Sequence, residues 1–256
     1  MLPDCYNQEH TGALNKIAAR IPEAREFLFA YDCSKSGADN IRLARAYRWF
    51  GNINEDFVSL LASHLQVRFM TANPVFPLVQ LHFRYAFVLE EFLWCNHLFM
   101  LLADPYYRWA ASEYFPLRVQ LGMLEVSRDA FYRALRDVMP SDMGISTVFQ
   151  SGRNCLAALT ENGLLKGKIK KLVAGPPLTA RSLGLLLYIM GDLGVGGDAF
   201  DGSPLFHSLL KSRETLVPLF LEGERRQWWD FTGDRNRLAC VFRHAGLSQW
   251  MERVGS

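Results

Sequence analysis

Apolar positions along the chain recur mostly at helical spacing, and many of the breaks between them carry helix-start chemistry. Asn54, followed by Glu55 and Asp56, supplies a cap and an acidic first turn, where negative charge suits the helix dipole. Behind it Phe57, Leu60, Leu61, His64, Leu65, Arg68 and Phe69 keep an i, i+3, i+4 rhythm, which predicts a helix from Asn54 to Phe69. His64 on that stripe reads as a satisfied boundary histidine rather than a ligand. A longer helix is predicted from near Pro77 to about Ala103, with Leu78, Leu81, Tyr85, Val88, Leu89, Phe92 and Phe99 on one side. Phe83 and Phe87 widen that surface, as suits a helix at the centre of a bundle. Asp104-Pro105 caps the next helix, and Pro116 limits it. Tyr106, Tyr107, Trp109, Tyr114 and Phe115 read as rings that close a core, with stacking on bases as their alternative use.

Ser127 caps a further helix with Ala130, Phe131, Ala134, Leu135 and Val138 on its buried side, and residues 140–144 break it. The next helix starts near Ser146, carries Val148, Phe149, Cys155, Leu156 and Leu159 as core contacts, and stops at Asn162-Gly163. Leu164-Leu165 and a basic strand over Lys168 to Val173 follow, before Gly175-Pro176-Pro177 closes the unit. Helix, turn, helix, glycine stop and basic strand is the order of a winged helix, whose second helix enters the major groove. On this reading Gln150, Arg153 and Asn154 lie on the exposed side of that helix, ready for base edges. Lys166, Lys168, Lys170 and Lys171 neutralise phosphates, with no acidic residue between them. Alternation puts Lys168 and Lys170 on one strand face and turns Ile169 inward. The plainer reading stays open: helix-turn-helix patterns are frequent in helical proteins, and lysine clusters are usually solvated surface.

The last stretch differs in character. Ser203-Pro204 caps a helix carrying Leu205, Phe206, Leu209 and Leu210, and Ser212 opens another with Glu214 in its first turn, shortened or kinked by Pro218. Residues 227–232 and 237–244 read as two strands around Gly233-Asp234. Leu238, Cys240 and Phe242 share one face of this hairpin, and Arg237 and Arg243 the other. Trp228 and Trp229 point to opposite faces, so at least one must be buried. Arg225, Arg226, Arg235, Arg237 and Arg243 edge the hairpin as a solvated rim, a docking edge or a second phosphate surface, with the solvated rim favoured. Residues 191–197 are glycine-rich but lack the spacing of a phosphate cradle, and read as a loop. The expected fold is mainly α: a multi-helix bundle over residues 1–120, a winged-helix-like unit over 121–178, and C-terminal helices with a β-hairpin over 179–256.

Composition narrows the function without naming it. Of 256 residues, 50% are apolar and 21% charged, enough to bury a core and too apolar for disorder over most of the length. A net charge of +2 is too small to imply nucleic acid by itself, because local clustering matters more than the sum. The five cysteines are odd in number and far apart, with neither zinc spacing nor a disulfide framework. Cys95 and Cys155 read as small core residues, and a reducing, cytoplasmic setting is expected. Around Asp4, Glu9 and His10 there is no signal-peptide core. Residues 74–103 are the most apolar, yet Arg84, Glu90 and Glu91 interrupt them short of the roughly 20 residues a membrane span needs. Glu90 and Glu91, about 100° apart on a helix, do not converge on one substrate atom and read as solvated or locally paired carboxylates. With no HExxH, GxSxG or P-loop, a protein without catalysis, metal or cofactor is expected.

Several segments together resemble the BrxA family of BREX bacteriophage-defence systems. They are Asn40 through Arg48, the capped Asn54–Phe69 helix, the long aromatic helix, Asp104-Pro105-Tyr106, Phe131, and Ser146-Thr147…Leu159…Asn162-Gly163-Leu164-Leu165. The likeness is a pattern of helices and spaced aromatics over roughly residues 10–175, with no catalytic motif in it. It implies a helical protein that binds double-stranded DNA as a non-enzymatic accessory, with other phage-defence subunits as further partners. The alternative expectation is a protein-binding scaffold of the defence complex that does not touch DNA.

Overall fold

A computed structural model of the chain describes residues 4–7, 16–168, 170–234 and 236–254. Two of its N-terminal helices begin where a short polar side chain satisfies free backbone N–H groups. α1 (Ile21–Ala30) carries Pro22 in its first turn and buries Ala24, Phe27 and Leu28. α2 (Gly37–Ala46) is capped by Ser36, and α3 (Glu55–Arg68) starts at the expected cap, Asn54, which accepts from the N–H of Asp56 and Phe57. Leu61, Leu65 and Phe69 are fully buried. His64 is half-buried, and burial beside Lys16 and Arg68 pushes its imidazole below the ordinary value. The satisfied histidine expected there is corrected in one respect: Nε2 has no hydrogen bond among the described residues.

The single helix expected from Pro77 to Ala103 is two, α4 (Val75–Tyr85) and α5 (Leu89–Ala103), separated by extended backbone at Ala86 and Val88. An unbroken helix would put His82 and Glu91, nine positions apart, on opposite faces. The break instead brings His82 Nε2 to 3.0 Å from Glu91 Oε2. It also seats Phe87 among Phe29, Phe83 and Phe92, with ring centroids 5.5–6.0 Å away. Leu81, Tyr85 and Leu89, expected on the inner stripe, stay exposed, because α4 turns a different face inward, with Phe76, Val79, His82 and Phe83 buried.

α6 (Pro105–Trp109) starts at Asp104, whose Oδ1 accepts from the N–H of Tyr106 and Tyr107. Pro116 does not end this segment. The path continues through a π turn (Ala110–Tyr114) into α7 (Phe115–Gln120), and Pro116 occupies the first turn of α7, where its missing N–H is tolerated. Tyr106, Tyr107 and Phe115 are buried, so these rings close the core.

β1 (Glu125–Val126) leads through the Ser127 cap into α8 (Arg128–Val138), then α9 (Ile145–Glu161), β2 (Leu165–Lys166) and β3 (Lys171–Val173). The three strands form an antiparallel sheet in the order β1-β3-β2, with Leu172 opposite both Glu125 and Lys166. Phe131 of α8 packs among Trp109, Tyr114 and Phe115 at 5.3–6.2 Å, joining this segment to the bundle.

α10 (Ala180–Asp192) has no counterpart among the expected elements, although Ser182 through Met190 are all buried. It packs on α4 and α5 and on two later helices. After it, a 3₁₀ turn (Phe200–Gly202) precedes α11 (Pro204–Ser208), capped by Ser203 as expected. α12 (Arg213–Arg225) holds Pro218 inside without being ended by it. β4 (Trp229–Phe231) pairs antiparallel with β5 (Cys240–Phe242), with Trp229 opposite Phe242, and α13 (Leu247–Val254) follows. Both tryptophans, Leu238 and Cys240 are buried, while Arg237 and Arg243 are exposed on the other side. Gly191 belongs to the end of α10 rather than to the loop after it. One buried apolar cluster runs from Tyr6 through Phe99 and Phe131 to Trp250. No helix among the described residues is long and apolar enough to cross a membrane.

Candidate nucleic-acid interface

α9 buries Val148, Ser151, Cys155, Leu156 and Leu159, which leaves Ile145, Ser146, Phe149 and Arg153 outward and Gln150 half-buried beside them. Three expectations are corrected here. Asn154 is only 9% exposed, because it shares the inner arc with Ser151 and Ala158. Phe149, expected in the core, is 49% exposed, with Tyr132 beside it at 5.4 Å; Val138 of α8 is likewise exposed. The polar side chains are linked: Arg153 Nη2 donates to Gln150 Oε1 at 2.6 Å, and Gln150 Nε2 donates to Asn154 Oδ1 at 3.3 Å. Asn154 therefore orients Gln150 from below, and Gln150 orients Arg153.

The lysines are not arranged as one strand face. Gly167 has φ of +100°, and a Cβ there would stand 2.0 Å from the Lys170 carbonyl oxygen, so the chain turns tightly between β2 and β3. The strand consequently begins at Lys171, and Lys168 and Lys170 sit in the turn. Ile169, expected to face inward, lies outside the described residues. Lys166, Lys168 and Lys170 are exposed. Lys170 Nζ lies 3.7 Å from Glu125 Oε1, an acidic neighbour that arrives from β1 rather than from the lysine run. Lys171 Nζ donates to Thr160 Oγ1 on α9 at 2.7 Å, and burial lowers the pKa of its ammonium. Arg153, Lys166 and Lys168 thus make no salt bridge to a carboxylate among the described residues.

A buried polar chain holds the far end of α9. Asn162, its fully buried C-cap, donates to Tyr107 Oη at 2.9 Å and accepts from Asn96 Nδ2 at 2.8 Å. Arg68 donates to the carbonyls of Ala18 and Ala19, and its Nη1 lies 3.5 Å from Asn96 Oδ1. Burial pushes the Arg68 guanidinium down to about 10. His97 extends the chain, with Nδ1 at 2.9 Å from Tyr107 Oη and Nε2 at 2.9 Å from Ser208 Oγ. Sequence reasoning missed Asn96, His97 and Ser208 and did not connect Arg68, Tyr107 and Asn162; the signal was Asn96-His97 inside the most apolar helix, where buried polar groups need partners.

The hairpin arginines are engaged locally. Arg225 and Arg226 share Glu222, Arg243 pairs with Asp230, and Arg237 donates to the Asp198 carbonyl. Arg235 lies outside the described residues. Of the adjacent acids, Glu90 is exposed, whereas Glu91 is buried and paired with His82 and Arg181. Cys95 and Cys155 are buried, and burial raises both thiols. Among the described residues no group of three or more His, Cys, Asp or Glu side chains could hold a metal ion. No protein-family model matches the sequence, and no curated protein matches it either.

Proposed function

We propose that the chain binds double-stranded DNA without catalysing a reaction on it, using the segment from α7 to β3 as a winged helix. The observation that carries this reading is the element order α7-β1-α8-α9-β2-β3 with its antiparallel β1-β3-β2 sheet, which leaves one face of α9 uncovered beside a basic turn. In such a unit the second helix lies in the major groove. Arg153 suits guanine O6 and N7, Gln150 suits adenine, and Phe149 suits a thymine methyl. Lys166, Lys168 and Lys170 meet backbone phosphate, where Glu125 limits what Lys170 contributes. Asn154 and Lys171 act as supports of this surface. The cellular setting, a cytoplasmic accessory of a BREX-type phage-defence system, rests on the BrxA resemblance.

Arg153→Ala tests the reading. Fluorescence anisotropy with a duplex pool should show roughly tenfold weaker binding, within the ~1–3 kcal/mol expected for a base-contacting arginine. Unchanged affinity would remove α9 from the interface. A second reading, a protein-binding scaffold of the defence complex, is favoured by Leu117, Leu121, Met123 and Leu124, all 47% exposed or more next to β1. A complex with a defence subunit that survives nuclease and high salt would identify it.

A further inference from the structure

Between the C-terminal half of α4 and α13 lies an open groove of about 620 Å³, a volume in the range of small-molecule sites. Its walls are mainly apolar: Leu81, Tyr85 and Ala86 on one side, Met251 and Val254 on the other. Leu81 and Tyr85 stand 42% and 81% exposed there. Four polar residues interrupt the lining, His82, Arg181, Ser248 and Glu252.

Behind the groove sits Glu91, only 3% exposed. Its Oε2 lies 3.0 Å from His82 Nε2, and its Oε1 lies 3.0 Å from Arg181 Nε, close enough for an ion pair although the N–H is poorly aligned for a hydrogen bond. The carboxylate thus holds the guanidinium by its Nε edge. Nε itself is sealed from solvent, yet the Arg181 side chain keeps 35% exposure and lines the groove. The other edge of the fork, Nη1 and Nη2, makes no hydrogen bond among the described residues. A guanidinium fixed from behind and open in front is suited to a planar oxyanion, and its prior ordering reduces the entropy lost on binding.

We infer that this groove is a binding site for an amphipathic monocarboxylate, with the carboxylate on the terminal nitrogens of Arg181 and the apolar body along Leu81, Tyr85, Met251 and Val254. Charge selects the monoanion. Glu91 already offsets Arg181, and Glu252 stands in the groove lining, so each added negative charge on the ligand costs more and a dianionic phosphate is repelled more strongly than a single carboxylate held on the open edge of the guanidinium. The apolar walls select a ligand with an aryl or medium-chain acyl body rather than a hydrophilic acid.

Calorimetric titration of octanoate and of 3-phenylpropanoate into the full chain tests the inference. Saturable binding at a single site is expected, with octanamide, which keeps the tail and lacks the charge, at least about tenfold weaker. Arg181→Met should weaken both acids by a similar factor. Because that change leaves Glu91 with one partner fewer and threatens the fold, Met251→Trp serves as the second variant: it puts a bulky ring where the ligand's apolar body would lie and leaves the ion network intact. It should abolish acid binding while circular dichroism and duplex binding stay as in the parent. Absence of saturable binding by both acids, octanamide binding as tightly as octanoate, or undiminished binding in Met251→Trp would each overturn the site. An apolar peptide that binds through its C-terminus while both free acids fail would overturn it too.

Discussion

Replacing Glu91 with alanine should destabilise the protein severely, and replacing its neighbour Glu90 should not. Glu91 is 3% exposed and ties α4 to α10 through His82 and Arg181. Its removal leaves the Arg181 Nε buried without a counter-charge and His82 without its partner. Losing one member of a buried pair costs about 3–5 kcal/mol, and because a third of the Arg181 side chain meets solvent the lower end, about 3 kcal/mol, applies. For a chain of this length that lowers Tm by roughly 6–12 °C, at about 2–4 °C per kcal/mol. Glu90 is exposed, so Glu90→Ala should stay within about 0.5 kcal/mol of the parent. Thermal unfolding of both variants, followed by circular dichroism near neutral pH, separates the two positions. Equal Tm losses, or a negligible loss in Glu91→Ala, would refute the claim that this carboxylate holds the break between α4 and α5 together.

Three further outcomes follow from the buried groups. Burial lowers the His97 imidazole from 6.5 to about 3, so the unfolded chain binds a proton there first; stability is full above about pH 6.5 and falls as pH drops towards 3, by about 1.4 kcal/mol per unit. Urea unfolding at about pH 7.5 and about pH 5 should show a smaller acid loss in His97→Gln than in the parent, and equal losses would show that His97 is not buried neutral. Under native conditions iodoacetamide should modify the exposed Cys33 first, while Cys95, Cys155 and Cys240, buried and with raised thiol pKa values, react only after denaturation; mass spectrometry reads the order. Gly223→Ala should destabilise by about 1–3 kcal/mol despite alanine's better helix propensity, because the new Cβ would stand 1.9 Å from Trp229 Cζ2, and an unchanged urea midpoint would refute that packing.

Elements bounded by local chemistry were legible in the sequence. Asn54 and Ser127 announce α3 and α8, Gly163 marks the end of α9, and Gly233-Asp234 lies between the strands of the C-terminal hairpin. The break between α4 and α5 was not legible, because it contains neither proline nor glycine and depends on where Phe87 and Glu91 find partners. α10 escaped for the opposite reason: a helix buried on nearly every side has no polar face to reveal its period. In the candidate interface the outward direction of Arg153 followed from the sequence. The burial of Asn154, the turn at Gly167 and the approach of Glu125 to Lys170 did not, since each depends on tertiary placement.

The proposed DNA interface is tested most directly by duplex affinity measured across a salt series for the parent and for a Lys166→Ala, Lys168→Ala double variant. If both lysines meet phosphate, binding weakens steeply with salt, and the double variant loses about 0.9 per lysine from the slope of log K against log salt. Parallel lines of equal slope would contradict the account, and so would parent binding that does not respond to salt.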